Sequence, residues 1–561
     1  MPSAGEAFLA LLKRRGVEYL YANAGTDFAP LVEAYARAPA GAEGYPKPVA
    51  CGHENLAVGM AHGYYAATGR VQCVMVHVNV GTANALCALI NAAKDNTPIL
   101  LAAGRNPIFE QGMPGARSLY IHWAQEMYDQ AGMLREFVKW DYELRSPLQV
   151  QEALDRALSI AQAPPRGPVY LTLPREVLAA GAPELPASLP APMPVAPPAP
   201  DPHAVAKAAA AIAAAELPVL LVNDVGRDAG AAAQLAALAE THAFGVVEAN
   251  KALFSNLASS HPMHLGCDVG PVLPEADCVV VVSTDVPWIP QYDRPRAGVR
   301  LIHVAEDPLF TGYPMRGFSG ELAITASTPA FLAALGDALG GSVLAAGAEA
   351  RRERIGRLRA AAHARAEARI AQAAQAPRIT KAWLNACLAR AKPHDAIVVN
   401  EYWVDRTLVP FEAPGCYFSH STAGGLGWGL PAALGIQQAM PERLVIAALG
   451  DGAYVFANPA ACHHVAEAQR LPVLTVICNN ARWEAVDRAA AQVYPDSGHN
   501  AGASGPLASL EPVPAFESYV QASGGIGLRV ENPAELPGAL QNAIEVVTRE
   551  RRQAVLNVIC A

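Results

Sequence analysis

Leu449-Gly450-Asp451-Gly452-Ala453-Tyr454-Val455-Phe456-Ala457-Asn458 decides how the chain is read, together with the later stretch Thr475-Val476-Ile477-Cys478-Asn479-Asn480-Ala481-Arg482. An apolar run from Leu444 to Leu449 stops at Gly-Asp-Gly. A polar segment then leads through Leu471-Pro472 into a second apolar run that stops at Asn-Asn. This is the pattern of strand, tight turn, helix and strand, and the right-handed crossover of such a unit makes the two strands parallel neighbours. Asp451 and Asn480 then stand at carboxyl ends on one edge of a sheet, where open α/β sheets place their ligands. A carboxylate, an amide oxygen and the Arg482 carbonyl supply about half of an octahedral Mg²⁺ shell, leaving positions for phosphate oxygens and water. Gly450 and Gly452 let the backbone approach a diphosphate, and the helix start that includes Ala453 adds N–H donors. Gly-Asp-Gly is also the composition of a plain turn. What points to a site is Asn480 closing the neighbouring run.

Gly450-Asp451-Gly452 with a downstream Asn479-Asn480 resembles the signature of thiamine diphosphate enzymes, specifically the acetohydroxyacid synthase and benzoylformate decarboxylase superfamily. The resemblance implies an α/β fold of three doubly wound parallel-sheet domains, which bind the pyrimidine, form the centre and bind the diphosphate. The rest of the chain follows that order. Residues 1–185 alternate helix-like and strand-like runs, closing on Pro168 to Leu173, as a parallel sheet covered on both faces requires. Residues 186–202, crowded with proline and alanine, form a semi-rigid linker. Residues 203–345 repeat the alternation, with strands near Val219 to Val222, Gly245 to Val247, Cys278 to Val282 and Arg300 to Val304. Residues 346–376 read as an alanine-rich helical linker, and residues 377–561 carry the opening motif.

Composition narrows the function. A chain of 561 residues that is 52% hydrophobic has ample material for several cores. A net charge of −9 disfavours nucleic-acid and anionic-membrane partners. The Arg351 to Arg369 stretch is interleaved with acids and alanines and reads as a solvated helix. Ten cysteines without CxxC pairs, several inside apolar runs, read as buried thiols of a reducing compartment. No apolar run approaches the length of a membrane span, and the first residues lack the basic flank of a secretory signal. The expectation is a soluble cytoplasmic protein.

Thiamine chemistry needs a carbanion at the thiazolium carbon, made by the coenzyme's own amino group once an acid protonates the pyrimidine ring. A carboxyl in an apolar slot suits that task, because desolvation favours the neutral acid. Cys51-Gly52-His53-Glu54-Asn55-Leu56-Ala57-Val58-Gly59 offers one, and Glu54 matches the family's catalytic glutamate; the plainer role is a first-turn acid on a helix dipole. In Thr422-Ala423-Gly424-Gly425-Leu426-Gly427-Trp428-Gly429, Leu426 matches the residue that bends the coenzyme, and the Gly424 carbonyl matches the acceptor of its amino proton. Because Glu54 and Asp451 belong to different domains, one cofactor bridges two sheets. In the family these come from different subunits, which implies a homodimer or homotetramer with sites at the subunit interface.

On the substrate side, Ala22-Asn23-Ala24-Gly25-Thr26-Asp27 resembles the Pro-Gly-Ser turn of benzoylformate decarboxylases, with Ala24 for proline and Thr26 for serine. His77, in Val76-His77-Val78-Asn79-Val80-Gly81-Thr82, matches an active-site histidine suited to proton relay. The position of a second catalytic histidine there is Pro290. Trp288 or Tyr292 offers a pocket wall instead, as do His122, Trp123 and Trp140 around a Gln125-Glu126 step like that of acetohydroxyacid synthases. Trp403 and Trp483 flank the diphosphate end. The expected function is a thiamine diphosphate- and Mg²⁺-dependent non-oxidative lyase or carboligase acting on a 2-keto acid or aldehyde. The alternatives are a benzoylformate-type decarboxylase that releases an aldehyde, a 2-hydroxyacyl-CoA lyase, for which no basic CoA patch is visible, and a non-catalytic cofactor-binding homologue. Some members of the family keep FAD in the central domain; its fingerprint here is too diffuse to assign.

Overall fold

The computed structural model describes residues 1–38, 43–249, 252–340, 347–495 and 505–561. The boundary expected at 345/346 lies outside the described residues. Three parallel sheets carry the fold. The first holds β1 (Tyr19–Ala22), β2 (Lys47–Ala50), β3 (Cys73–Val76), β4 (Leu100–Arg105), β5 (Asp141–Glu143) and β6 (Val169–Pro174), in the order β2-β1-β3-β4-β6-β5. The second holds β7 (Pro218–Val222), β8 (Gly245–Glu248), β9 (Cys278–Val282), β10 (Arg300–Ala305) and β11 (Leu322–Thr325), in the order β11-β10-β9-β7-β8. The third holds β12 (Ile397–Glu401), β13 (Tyr417–Ser419), β14 (Val445–Gly450), β15 (Val473–Asn479), β16 (Ile526–Val530) and β17 (Ala554–Ile559), in the order β13-β12-β14-β15-β17-β16. β14 and β15 are buried along almost their whole length, and their unbroken apolar runs are what strands covered on both faces require. They pair in parallel, Gly450 opposite Cys478.

By packing, the chain forms two compact units. One comprises residues 1–195, 420–529 and 543–559; the other, residues 196–419, 530–542 and 560–561. In the first unit the Glu54–Thr68 helix is apolar nearly all round and therefore buried. His53 accepts from the Asn55 amide at its start, and Gly69 ends it at φ 69°. It crosses the Gly429–Ala439 helix with backbone against backbone: a methyl group on Gly59 would strike the Pro431 ring, one on Gly63 the Ala432 carbonyl, and one on Gly435 the Met60 carbonyl. In the second unit Glu248 is fully buried and binds Arg406, with His264 3.4 Å away. Burial alone would raise the Glu248 carboxyl, yet Arg406, then His264 and the Asn256 amide, pull it down to about 2. That contribution is present above the ordinary 4.5 and is lost as pH falls toward 2.

The ten cysteines form no disulfide; nine of them are buried and Cys87 is half-buried. No helix among the described residues is long and apolar enough to cross a membrane.

Gly63→Ala is expected to cost about 1–3 kcal/mol of stability through overpacking, read by chemical denaturation. Gly356→Ala, in open space within a helix, is expected to gain up to about 1 kcal/mol. Glu248→Gln strands Arg406 as a buried charge and is expected to cost about 3–5 kcal/mol.

Candidate active site

Two places at the carboxyl edges of sheets, both in the first unit, gather the polar residues singled out above. At the end of β14, Asp451 opens the short Asp451–Phe456 helix and is 4% exposed. Its Oδ1 accepts from the Gly452 amide at 2.8 Å, and its Oδ2 from the amides of Asn480 and Arg482 at 3.1 and 3.2 Å. Burial pushes this carboxyl up, opposed by the backbone donors, Gly452 foremost. The Asn480 Nδ2 donates to Glu484 Oε2 at 3.1 Å, which commits the nitrogen and leaves the amide oxygen without a donor among the described residues. Three hard oxygens, those of Asp451, Asn480 and the Arg482 carbonyl, suit Mg²⁺. No cluster of three His, Cys, Asp or Glu side chains suited to a metal occurs among the described residues. An oxygen set drawn partly from an amide and a carbonyl has no need of one. Space for a diphosphate is visible beside it: a methyl on Gly450 meets nothing within 4 Å. Trp483 packs on Gly452 and stands edge-on to Phe456, with ring centroids 5.7 Å apart.

The second place lies at β1 and β3, where the order of the first sheet reverses direction, the usual location of a crevice. Asp27, 3% exposed, holds His77 Nδ1 at 2.5 Å. Gly25 and Gly104 make room for the pair, since a methyl on the first would overlap the His77 ring and on the second the Asp27 carboxylate. The hydrogen bond to Asp27 raises the His77 imidazole; burial opposes it, and the charges of Asp27 and Glu54 add to the rise. Gln125 Nε2 stands 3.4 Å from His77 Nε2. The next residue, Val78, sits at φ 30°, a left-handed conformation that costs a β-branched residue about 1–3 kcal/mol. Glu54 is 7% exposed; Asn84 donates to its Oε2 at 3.1 Å, and Oε1 lies against Gly81.

The other expected residues are placed as follows. Thr26 is exposed, its carbonyl accepting from Arg175 at 3.2 Å. Leu426 is half-buried in a loop that Asn91 clasps through Gly425, and Gly424 beside it has φ 69°. Ala453 is buried in the first turn after Asp451. His122 is buried, its Nδ1 accepting from the Ser118 and Leu119 amides; burial, then Arg175, Arg117 and His77, lowers its basicity. The residues considered as pocket walls have these surroundings. Trp140 stacks on Tyr142, and Trp123 is half exposed under Arg117. Trp288 belongs to the core of the central domain, edge-on to Phe318, while Tyr292 is exposed. Sequence reasoning missed Asp27, Asn84 and Asn91. The one available signal was an aspartate directly after Gly-Thr at a strand end.

Family models match in three blocks: the N-terminal TPP binding domain of thiamine pyrophosphate enzymes over residues 2–133, their central domain over 205–335, and their C-terminal TPP binding domain over 397–558. The chain belongs to the thiamine pyrophosphate enzyme family. Among its relatives, benzoylformate decarboxylase of Pseudomonas aeruginosa is 29% identical over 87% of both chains. The large subunit of acetolactate synthase isozyme 3 of Escherichia coli is 24% identical over 89% of this chain and 85% of that one. The crystal structure of benzoylformate decarboxylase from Polynucleobacter necessarius superposes with a TM-score of 0.81 at 21% identity, covering 100% and 99% of the two chains, and shares the fold. This protein is thus a thiamine pyrophosphate enzyme of a family that acts on 2-keto acids, with decarboxylases and carboligases among its relatives.

His77 is expected to titrate above 6.5, and Asp27→Asn to bring it down, as followed by NMR of the ring protons. Since the folded value is the higher one, the stability this pair contributes is complete below about 6.5 and fades as pH rises through the folded value.

Proposed function

We propose that the protein is a thiamine diphosphate- and Mg²⁺-dependent non-oxidative C–C lyase or carboligase acting on 2-keto acids. The observation that carries the reading is the Asp451 cage: a buried carboxylate beside an amide oxygen and a carbonyl, next to open space at Gly450. In this reading Asp451, Asn480 and the Arg482 carbonyl hold Mg²⁺, and Gly450, Gly452 and Ala453 admit the diphosphate. When bound, the cofactor supplies an electron sink for the loss of CO₂. Glu54 holds a proton toward the pyrimidine ring nitrogen. The Gly424 carbonyl accepts from the amino group, and Leu426 props the ring angle. His77 and Thr26 attend the substrate, His77 moving protons through Nε2 while Asp27 holds Nδ1. Glu54 and Asp451 come from different domains, and we place them in a homodimer or homotetramer whose subunits complete each other's sites.

A second reading, aldehyde release in the manner of a benzoylformate decarboxylase, is favoured by the Asp27–His77 pair. An imidazole of raised basicity beside Glu54 is a proton source, and protonation is the step that ends in aldehyde. A flavin is not favoured. Asp228 caps the Ala229–His242 helix, accepting from the Ala231 amide at 2.8 Å, so a carboxylate stands where that helix would otherwise receive a pyrophosphate.

With thiamine diphosphate and Mg²⁺, CO₂ release from a 2-keto acid panel is expected. Glu54→Gln should lower it about 10²–10⁴-fold, and equal turnover would overturn the mechanism. Products from pyruvate and benzoylformate separate acetolactate or acyloins from plain aldehyde. The purified protein should show no flavin absorption.

A further inference from the structure

The Val78–Lys94 helix runs from His77 past Glu54 to the glycine-rich loop, and two asparagines on it make contacts that sequence reasoning did not anticipate. Asn84 and Asn91 are two turns apart and share one face. Asn84 Nδ2 donates to Glu54 Oε2 at 3.1 Å. An oxygen that accepts from an amide is the poorer place for a proton, so a proton that the proposed function puts on this carboxyl would sit on Oε1. That oxygen lies against Gly81, one turn earlier on the same helix, where the missing side chain keeps it uncovered.

Asn91 is 1% exposed and spends both ends of its amide on one residue. Its Nδ2 donates to the Gly425 carbonyl at 2.7 Å, and its Oδ1 accepts from the Gly425 N–H at 2.9 Å. These two groups belong to different peptide units. The N–H lies in the unit shared with Gly424, the carbonyl in the unit shared with Leu426. In a trans peptide the carbonyl points opposite to the N–H. Holding the Gly425 N–H therefore aims the Gly424 carbonyl away from the helix, and holding the Gly425 carbonyl fixes where Leu426 begins. Gly425 has to be glycine, because a methyl group there would overlap the Asn91 amide and the Cys87 carbonyl.

We propose that Asn84 and Asn91 make the Val78–Lys94 helix a positioning element for two cofactor sites: Asn84 selects the Glu54 oxygen that carries the proton, and Asn91 aims the Gly424 carbonyl and Leu426, which serve different sites of an assembly whose subunits complete one another. The proposal rests on the reading of Glu54, Gly424 and Leu426 given under the proposed function. Neither asparagine touches reacting atoms; each acts through the group it holds. The roles are separable, since one bears on proton transfer and the other on the grip of the heterocycle.

The test uses the full-length apoprotein with Mg²⁺ and two ligands, thiamine diphosphate and inorganic diphosphate. Asn91→Ala removes two hydrogen bonds and is expected to weaken thiamine diphosphate about tenfold. Asn91→Asp, which sets a carboxylate against the Gly425 carbonyl, should weaken it at least as much. Inorganic diphosphate, which meets only the metal cage, should bind both variants as it binds wild type. Asn84→Ala is expected to leave both affinities unchanged and to slow deuterium exchange at the thiazolium carbon of the bound cofactor about tenfold. Equal loss of both ligands in the Asn91 variants, or unchanged exchange in Asn84→Ala, would overturn the proposal. Failure of wild type to bind thiamine diphosphate at all would instead remove the functional reading on which it rests.

Discussion

A negative charge kept out of water sets the terms for the rest of the site. Asp451 is nearly inaccessible, and among the described residues no lysine, arginine or histidine pairs with it. Three backbone N–H groups from the ends of two adjacent strands are its compensation. They suffice to orient the carboxylate and to tie β14 to β15, but they do not repay the full cost of burying a charge. The raised carboxyl records the deficit. A divalent cation, with the Asn480 nitrogen already committed to Glu484, is the natural way to close it.

The strand ends that hold Asp451 were legible because inner parallel strands leave a plain trace, apolar runs that stop abruptly at glycine or asparagine. The same holds for the three-sheet fold and for the order of its elements. Short or polar strands leave no such trace. β5 reads Asp-Tyr-Glu, β16 alternates apolar residues with glycine and arginine, and both lie at sheet edges where burial imposes little pattern. Tryptophans are ambiguous for a related reason. Trp288 and Trp140 are large enough to suggest a pocket wall from any position, yet one completes a core and the other lies flat on a tyrosine.

The candidate site shows the same division more sharply. Glu54, His77 and Asp451 stand in strand-end contexts that can be read locally. Asp27, Asn84 and Asn91 act over 50, 30 and more than 300 residues of separation, and nothing in their immediate neighbours announces the partner. Amide and carboxylate side chains of this kind are set by which backbone the fold brings opposite them. What marks them in hindsight is the glycine on the other side: Gly25 and Gly104 around the Asp27–His77 pair, Gly81 beside Glu54, Gly425 under Asn91.

The seam where the Glu54–Thr68 and Gly429–Ala439 helices touch is equally bare of side chains, with Gly59, Gly63 and Gly435 each facing main chain or a proline ring. Its two sides are written more than 350 residues apart, so neither can drift alone. A chimera that borrowed one of these helices from a relative would meet a surface cut for a different partner. Recombination between family members is therefore constrained to carry the two helices as a matched set.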